Sequence, residues 1–152
     1  MTKTPLSQAL AGVRQIMFDS APVIYFVEEN PRYDAVVTAI FQQVDQGMIR
    51  GVTSLVTLIE VLTKPVRVGD QALAQDYRDL LMDSANFYLQ PTITLAESEQ
   101  AAQWRARYNL KTPDALQVAI ALSTGSDAFL TNDGGLKRVQ ELKVLVLDEL
   151  EL

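Results

Sequence analysis

Residues Lys111–Gly135 read K-T-P-D-A-L-Q-V-A-I-A-L-S-T-G-S-D-A-F-L-T-N-D-G-G, and this stretch decides the predicted fold. Thr112 is expected to cap a helix whose first residue is Pro113, because a residue without an N–H loses nothing in the first turn. The helix continues through the segment 115–122, which has almost no polar interruption, and ends near Gly125.

A short strand follows this helix and ends in polar residues. Residues 128–130 are apolar, as expected of a buried strand, and Thr131, Asn132 and Asp133 come directly after them. One carboxylate, Asp114, therefore stands at the start of a helix, and Asp133 stands at the end of a strand. These are the two places where open α/β sheets build their sites.

The rest of the chain alternates short apolar strands with helices. Strands are predicted at 15–20, 49–54, 87–92 and 143–147, and helices at 21–29, 33–46, 55–63, 70–82, 94–109 and 136–142. This order predicts an α/β fold, a three-layer α/β/α sandwich with a central, mostly parallel sheet of about five strands. The length fits a single domain over residues 1–152, in which residues 1–14 form a loose or helical lead-in.

Local signals predict how individual elements begin and end. Thr94 followed by Glu97 is a capping-box pattern for the helix at 94–109. Pro65 is expected to close the helix that precedes it. Pro91 places the third strand near an edge of the sheet.

The composition excludes several kinds of chemistry. The chain has no cysteine and no histidine, which removes disulfides, thiolate nucleophiles, Cys/His zinc sites and every histidine-based triad. Carboxylates remain, and they favour Mg²⁺ or Mn²⁺. The net charge of −6 counts against a nucleic-acid binder, unless metal ions supply positive charge in an acidic cleft. No apolar run approaches the ~18 residues of a membrane span, no signal peptide is evident, and a cytoplasmic location is expected.

Four acidic residues are predicted to meet at one edge of the sheet. Asp19 and Asp133 end two strands, and the carboxyl ends of parallel strands open on the same edge. Asp114 and Glu60 lie on helices that can reach this edge. Glu60 is also predicted to be buried, because its helix L-V-T-L-I-E-V-L-T is apolar nearly all round. Such a set could hold one or two Mg²⁺ ions for an in-line phosphoryl displacement.

Three of these acids also have an ordinary structural explanation when taken alone. Asp19 could start a turn or cap the next helix. Asp114 could complement the helix dipole, and Asp133 is a typical turn residue. The joint pattern favours a site, because the same edge is indicated four times.

These residues resemble the PIN domain family. The resemblance rests on F-D-S at 18–20, a glutamate in an apolar helix after the second strand, T-P-D-A at 112–115 and F-L-T-N-D at 129–133, and it covers residues 15–147. It implies a metal-dependent ribonuclease, and small bacterial members of the family are commonly the toxins of VapBC-type toxin–antitoxin pairs.

The resemblance also implies site residues, a cofactor and partners. The metal-binding and catalytic acids that it implies are Asp19, Glu60, Asp114 and Asp133. The supporting polar residues are Thr131, Asn132 and Ser20. The implied cofactor is Mg²⁺ or Mn²⁺. The implied partners are an RNA substrate, a cognate antitoxin and a second copy of the chain in a homodimer, with no membrane involved.

Two other functions stay open. The family often carries a further acid shortly after the T-x-D element, whereas this chain has Gly134 and Gly135. A non-catalytic PIN-like module that binds RNA or protein is therefore an alternative. An aspartyl phosphotransfer domain with Asp19 as nucleophile is a third class, although Ala21 stands where a haloacid-type phosphatase has its second aspartate.

Several basic residues lie close to these acids in the sequence and could contact RNA phosphates. The candidates are Lys64, Arg67, Arg107, Lys111, Lys137 and Arg138. They could equally be ordinary solvated charges at helix ends. Trp104 and Tyr108 have helical spacing and are expected in the core rather than in base stacking.

Overall fold

The computed structural model describes residues 2–152 and contains a five-stranded sheet in which every pairing is parallel. The strands are β1 Thr4–Pro5, β2 Gln15–Phe18, β3 Arg50–Thr53, β4 Phe87–Leu89, β5 Ala128–Thr131, β6 Val144–Val146 and β7 Leu150–Glu151. The five-stranded sheet has the order β4-β3-β2-β5-β6. The predicted fold class is confirmed, and β4 lies at an edge as expected. All five strands end on the same side of the sheet.

Helices cover both faces of this sheet. The α-helices are α1 Leu6–Ala9, α2 Ser20–Val27, α3 Asp34–Asp45, α4 Leu55–Val68, α5 Gln71–Asp83, α6 Leu95–Tyr108 and α7 Thr112–Ser123. Two 3₁₀-helices follow at Gly134–Arg138 and Leu147–Glu149. Within residues 2–152, no helix combines the length and the apolarity that a membrane crossing needs.

Alternate residues of the central strands pack into two separate cores. Ile16 and Phe18 of β2 lie in one core with α2, α3 and α5, whereas Met17 lies in the other with α6 and α7. Leu130 and Phe129 of β5 divide in the same way. Since neighbouring side chains of a strand point to opposite faces, the apolar runs β2 and β5 are buried on both sides. The result is the predicted helix–sheet–helix sandwich.

A glycine in β3 makes room for the aromatic part of the first core. A Cβ at Gly51 would lie 2.6 Å from Cδ2 of Phe87 and 3.2 Å from Cε1 of Phe18. The ring centroids of Phe18 and Phe87 are 5.3 Å apart, and that of Phe41 lies 4.7 Å from Phe18. The rings can approach the β3 backbone this closely because residue 51 has no side chain.

The two chain ends pair with each other. Thr4 and Pro5 of β1 lie parallel to Leu150 and Glu151 of β7, and Leu6 is buried in the first core. The lead-in is therefore partly strand and partly helix, and it contributes apolar side chains to the core.

Three predicted element boundaries are wrong. Helix α4 continues past Pro65 to Val68 and ends at Gly69, whose φ is 74°. Proline removes one hydrogen-bond donor from the helix, and Pro65 is buried within it.

The other two boundaries lie on either side of β5. Helix α7 has Lys111 as its N-cap, and the structure shows no capping bond from a side chain there, so Thr112 is already helical. The helix predicted at 136–142 is a 3₁₀-helix over Gly134–Arg138 instead. Buried residues at a spacing of three, Leu136 and Val139, suit its three residues per turn.

Candidate functional site

The ends of β2 and β5 lie side by side and bring two of the predicted acids together. Phe18 pairs with Leu130, and the N–H of Asp19 donates to the carbonyl of Leu130 at 2.9 Å. Thr131 Oγ1 donates to Asp19 Oδ2 at 2.8 Å and accepts the N–H of Asp133 at 3.1 Å. One hydroxyl therefore connects the residues that follow both strands.

Asp19 has a structural role and lies in the site at the same time. It is the N-cap of α2, and its Oδ1 accepts the N–H of Ser20 at 2.8 Å. Burial raises the pKa of Asp19, and the charge of Glu60 adds to this effect. Hydrogen bonds from Thr131, Ser20 and Gln117 favour the charged carboxylate but do not cancel the effect of burial.

Asp114 feels the charges of the other three acids. It lies half-buried in the first turn of α7. Burial raises the pKa of Asp114, and the charges of Asp19, Asp133 and Glu60 raise it further, whereas Lys111 opposes the shift. Asp114 therefore lies close enough to the other three acids for their charges to act on it, as convergence on one edge of the sheet requires.

Glu60 is exposed, and the prediction that it is buried is wrong. Apolar neighbours do not bury Glu60 because one face of α4 is open to solvent. Ile59 and Val66 of this helix have exposed fractions of 64% and 62%. Glu60 nevertheless points towards the other acids, because Ser20 Oγ donates to its Oε1 at 2.5 Å.

A buried polar network lies beneath the acids and is absent from the sequence-based prediction. Gln117 is fully buried, and its Nε2 donates to Thr57 Oγ1 at 2.8 Å and to Asp19 Oδ1 at 3.4 Å. Its Oε1 accepts a hydrogen bond from Ser54 Oγ. The available signal is that Gln117 interrupts an apolar helix one turn after Asp114, on the same helix face.

Asn132 connects the acidic edge to the C-terminal segment and to α2. Its Oδ1 accepts the N–H of Asp148 at 3.0 Å, and its Nδ2 lies 3.4 Å from the hydroxyl of Tyr25. It lies between Thr131 and Asp133 in the loop after β5.

Most of the basic candidates are already engaged with other protein groups. Three form ion pairs, which are Lys64 with Glu28 at 3.9 Å, Arg107 with Glu141 at 2.7 Å and Lys137 with Glu149 at 2.6 Å. Arg138 donates to the carbonyls of Tyr108, Gly135 and Asn109 and so fastens the end of α6.

Lys111 and Arg67 are exposed and form no ion pair in the described part of the chain. Lys111 is near enough to Asp114 to affect its pKa, so it is a basic candidate beside the acids. Trp104 and Tyr108 pack against the second core, in agreement with the prediction.

The donor set fits a hard cation. It offers only carboxylate and hydroxyl oxygens, which Mg²⁺ and Mn²⁺ prefer. No three acidic side chains among residues 2–152 stand close enough to hold one ion between them. Mg²⁺ usually keeps several waters and takes only one or two protein carboxylates together with substrate phosphates, so it does not need three of these acids in contact with it.

The fold and the acidic edge together define a class of α/β domain with carboxylates at the ends of parallel strands. The PIN domain family model matches residues 16–142, and the chain belongs to the PIN domain family. No curated protein matches the chain at a significant level.

Solved structures with the same fold include proteins of toxin–antitoxin systems. VapBC2 from Rickettsia felis, bound to a DNA fragment from its promoter, has a TM-score of 0.68 at 12% identity, over 87% of this chain and 98% of that chain. VapC20 from Mycobacterium tuberculosis, a toxin that cleaves the sarcin–ricin loop, has a TM-score of 0.67 at 17% identity, over 82% and 95%. A toxin–antitoxin complex from Klebsiella pneumoniae has a TM-score of 0.65 at 20% identity, over 87% and 97%.

Proposed function

We propose that this PIN domain is a Mg²⁺- or Mn²⁺-dependent endoribonuclease that hydrolyses RNA phosphodiester bonds. The observation that carries the proposal is the convergence of Asp19, Asp133, Asp114 and Glu60 on one edge of the sheet, where burial and the charges of the other three acids raise the pKa of Asp114. A protein maintains such crowding at a cost unless a cation compensates the charge. VapC20, whose structure has the same fold, is a toxin that cleaves the sarcin–ricin loop, and this supports RNA as the substrate.

One or two of Asp19, Asp114, Asp133 and Glu60 would contact the ion directly, and the others would bind it through its waters. When bound, it would supply an activated water and neutralise charge on the phosphate oxygens. Thr131 and the N–H of Ser20 orient the two oxygens of Asp19. The hydroxyl of Ser20 holds Glu60 towards the site.

The experiment that tests the activity compares Asp19→Asn with wild type on single-stranded RNA in Mg²⁺. Asn keeps the size and one oxygen of the side chain but removes its charge, so cleavage falls by a factor on the order of 10² or more while the fold is kept. Asp76→Asn, an exposed acid on α5, is the matched control and cleaves as wild type does. Full cleavage by Asp19→Asn, or unchanged cleavage in a chelator, contradicts the assignment.

We further propose that the chain is the toxin of a VapBC-type pair and forms a homodimer. The Klebsiella and Rickettsia structures with this fold are toxin–antitoxin assemblies, which supports an antitoxin as partner. The exposed apolar residues Ile59 and Val66 of α4 are suitable for burial in an assembly. Expression of wild type is expected to arrest growth, and Asp114→Ala is not. Light scattering of the purified chain tests the homodimer: it gives the dimer mass if the chain dimerises and the monomer mass if it does not.

A non-catalytic RNA-binding module is the second candidate. Two observations favour it, namely that no three acids in the described residues share an ion-sized space and that Gly134 and Gly135 replace the family's further acid. RNA affinity without metal-dependent turnover across varied substrates would favour this candidate over the nuclease.

A further inference from the structure

Beside the acidic edge lies a group of three side chains that the proposed chemistry does not use. The rings of Tyr25 and Tyr33 are nearly parallel, with centroids 4.5 Å apart and 13° between their planes. The guanidinium carbon of Arg32 lies 5.3 Å from the ring centroid of Tyr33. These three residues are called the Tyr–Arg stack below.

The Tyr–Arg stack is attached to the loop that carries the site. The hydroxyl of Tyr25 lies 3.4 Å from Nδ2 of Asn132, and Asn132 Oδ1 accepts the backbone N–H of Asp148 at 3.0 Å. Asn132 is the residue between Thr131 and Asp133. A strand of RNA whose phosphate lies at the acids therefore passes within reach of the stack.

Asp148 fixes the guanidinium of the stack in one orientation. Its Oδ1 accepts the hydroxyl of Tyr33 at 2.6 Å and lies 3.1 Å from Nη2 of Arg32. The backbone is fixed as well, because Asn30 Oδ1 accepts the N–H of Arg32 at 3.0 Å. The Arg32 side chain is 72% exposed, so most of its five N–H donors face solvent. An exposed ion pair contributes little to folding stability, and Arg32 is therefore not needed to hold the fold.

Positive charge near the acids is scarce in this chain. The net charge is −6, and Lys64 on the nearby helix α4 is paired with Glu28. An RNA strand needs cationic contacts on either side of the bond that is cut. Arg32 supplies one, and its planar guanidinium lies over the ring of Tyr33.

We propose that the Tyr–Arg stack binds single-stranded RNA next to the acidic site. Arg32 contacts a phosphate through its free N–H groups, and an unpaired base stacks on the plane of the guanidinium, which the two tyrosine rings support. The stack thereby sets the position of the strand relative to the acids. This inference rests on the proposed action on RNA, and its test separates the two.

The test measures binding and cleavage of RNA by Arg32→Ala. The probe is a fluorescein-labelled single-stranded RNA of mixed sequence, bound in Ca²⁺ and cleaved in Mg²⁺. Arg50→Ala is the matched control, because Arg50 also lies over an exposed tyrosine, at 5.6 Å from the centroid of Tyr88. Arg50 begins β3, at the opposite end of the sheet from the acids.

Loss of Arg32 is expected to weaken RNA affinity by about tenfold, the size of one charge-assisted contact. It raises KM by a similar factor and leaves kcat nearly unchanged. The slope of log affinity against log salt concentration decreases by about 0.7, as for one lost phosphate contact on a single strand. Arg32→Lys keeps the charge but not the plane and recovers part of the affinity. Arg50→Ala behaves as wild type.

Equal RNA affinity and KM for Arg32→Ala and Arg50→Ala would overturn the inference and leave the nuclease assignment intact. Binding without cleavage by wild type would contradict the nuclease, while weaker binding by Arg32→Ala would still support the stack. Absence of RNA binding by wild type overturns both. If Arg32→Ala lowers the unfolding temperature, Arg32→Gln serves as second variant, because it removes the charge but keeps a long polar side chain. It is also expected to weaken RNA binding, and unchanged affinity in Arg32→Gln then overturns the inference.

Discussion

Asp19 combines two roles that sequence patterns cannot separate. It caps α2 through the N–H of Ser20, and it also faces Glu60 and Asp114 across the end of the sheet. Its cap role and its site role both follow from the same position, directly after a buried strand and before a helix. A local structural explanation for a carboxylate is therefore no argument against a chemical one.

Gln117 is expected to act as a positioning residue for the acids. In Gln117→Leu the buried hydroxyls of Thr57 and Ser54 lose their partner, and the stability of the fold decreases by about 1–3 kcal/mol. Asp19 also loses a hydrogen bond to its charged form, so metal affinity and kcat decrease while the KM for RNA is retained.

The readouts for Gln117→Leu are thermal unfolding, Mg²⁺ titration and steady-state cleavage. Gln103→Leu, an exposed position on α6, is the control and changes none of them. A loss of stability with wild-type metal affinity and kcat would show that Gln117 is structural only.

At the residue scale, the sequence predicts where the acids lie in the fold better than it predicts how exposed each side chain is. The positions of Asp19, Asp114 and Asp133 follow from the ends of strands and the start of a helix. The exposure of Glu60 does not, because an apolar helix sequence cannot show which apolar side chains, such as Ile59, stay uncovered. Gln117 was predictable only as an interruption of an apolar helix, and its partners come from two distant elements.

Helix α6 begins at a capping box that also anchors it to α7. Burial of Glu97 raises its pKa, but hydrogen bonds from Ser123, Thr94 and Gln90 favour the charged form and hold the pKa below its usual range. Since the pKa is lower in the folded than in the unfolded state, ionised Glu97 stabilises the fold at neutral pH. That stabilisation is lost as pH falls through the range below the ordinary glutamate pKa.

Glu97→Gln is therefore expected to unfold at a lower temperature than wild type at pH 7 and to show a weaker loss of stability on acidification. Thermal unfolding measured between pH 7 and pH 3 checks this. Glu99→Gln, at an exposed position on the same helix, keeps the wild-type pH profile. Parallel profiles for wild type and Glu97→Gln would contradict the account of the capping network.

Strand β3 depends on the absence of a side chain at Gly51. Gly51→Ala is expected to destabilise the fold by about 1–3 kcal/mol, because its Cβ would overlap the ring of Phe87 at 2.6 Å. Chemical denaturation measures the effect, and Gly134→Ala, where a Cβ meets nothing within 4 Å, is the control. Equal stability of the two variants would mean that the aromatic cluster can shift to make room.

At the element scale, hydrophobic pattern and turn residues predict which elements exist better than where they end. The capping box of Thr94 and Glu97 was predictable because both partners are local. The continuation of α4 through Pro65 was not, because it depends on packing of the proline against the core. The same holds for the 3₁₀-helix after Asp133, where buried side chains at a spacing of three override the α-helical pattern.

The molecule as a whole is organised by parallel topology. Because β2 and β5 are adjacent and parallel, the polar residues after them meet, and the helices that start at Leu55 and Thr112 deliver Glu60 and Asp114 to the same edge. This arrangement was predictable from the order of strands and helices and the handedness of their connections. The pairing of β1 with β7 was not, because segments of two residues each carry no pattern of their own.

The most direct test of the central claim, that a cation compensates the crowded acids, is the unfolding temperature of wild type and Asp114→Asn with and without Mg²⁺. In a chelator, Asp114→Asn is expected to be the more stable protein, because it removes a charge that is half-buried and repelled by the other acids, the two causes that raise the pKa of Asp114. Mg²⁺ binds the folded wild type and raises its unfolding temperature, so the difference shrinks or reverses. Wild type that does not respond to Mg²⁺ or Mn²⁺, or an equal response in Asp114→Asn, would contradict the claim.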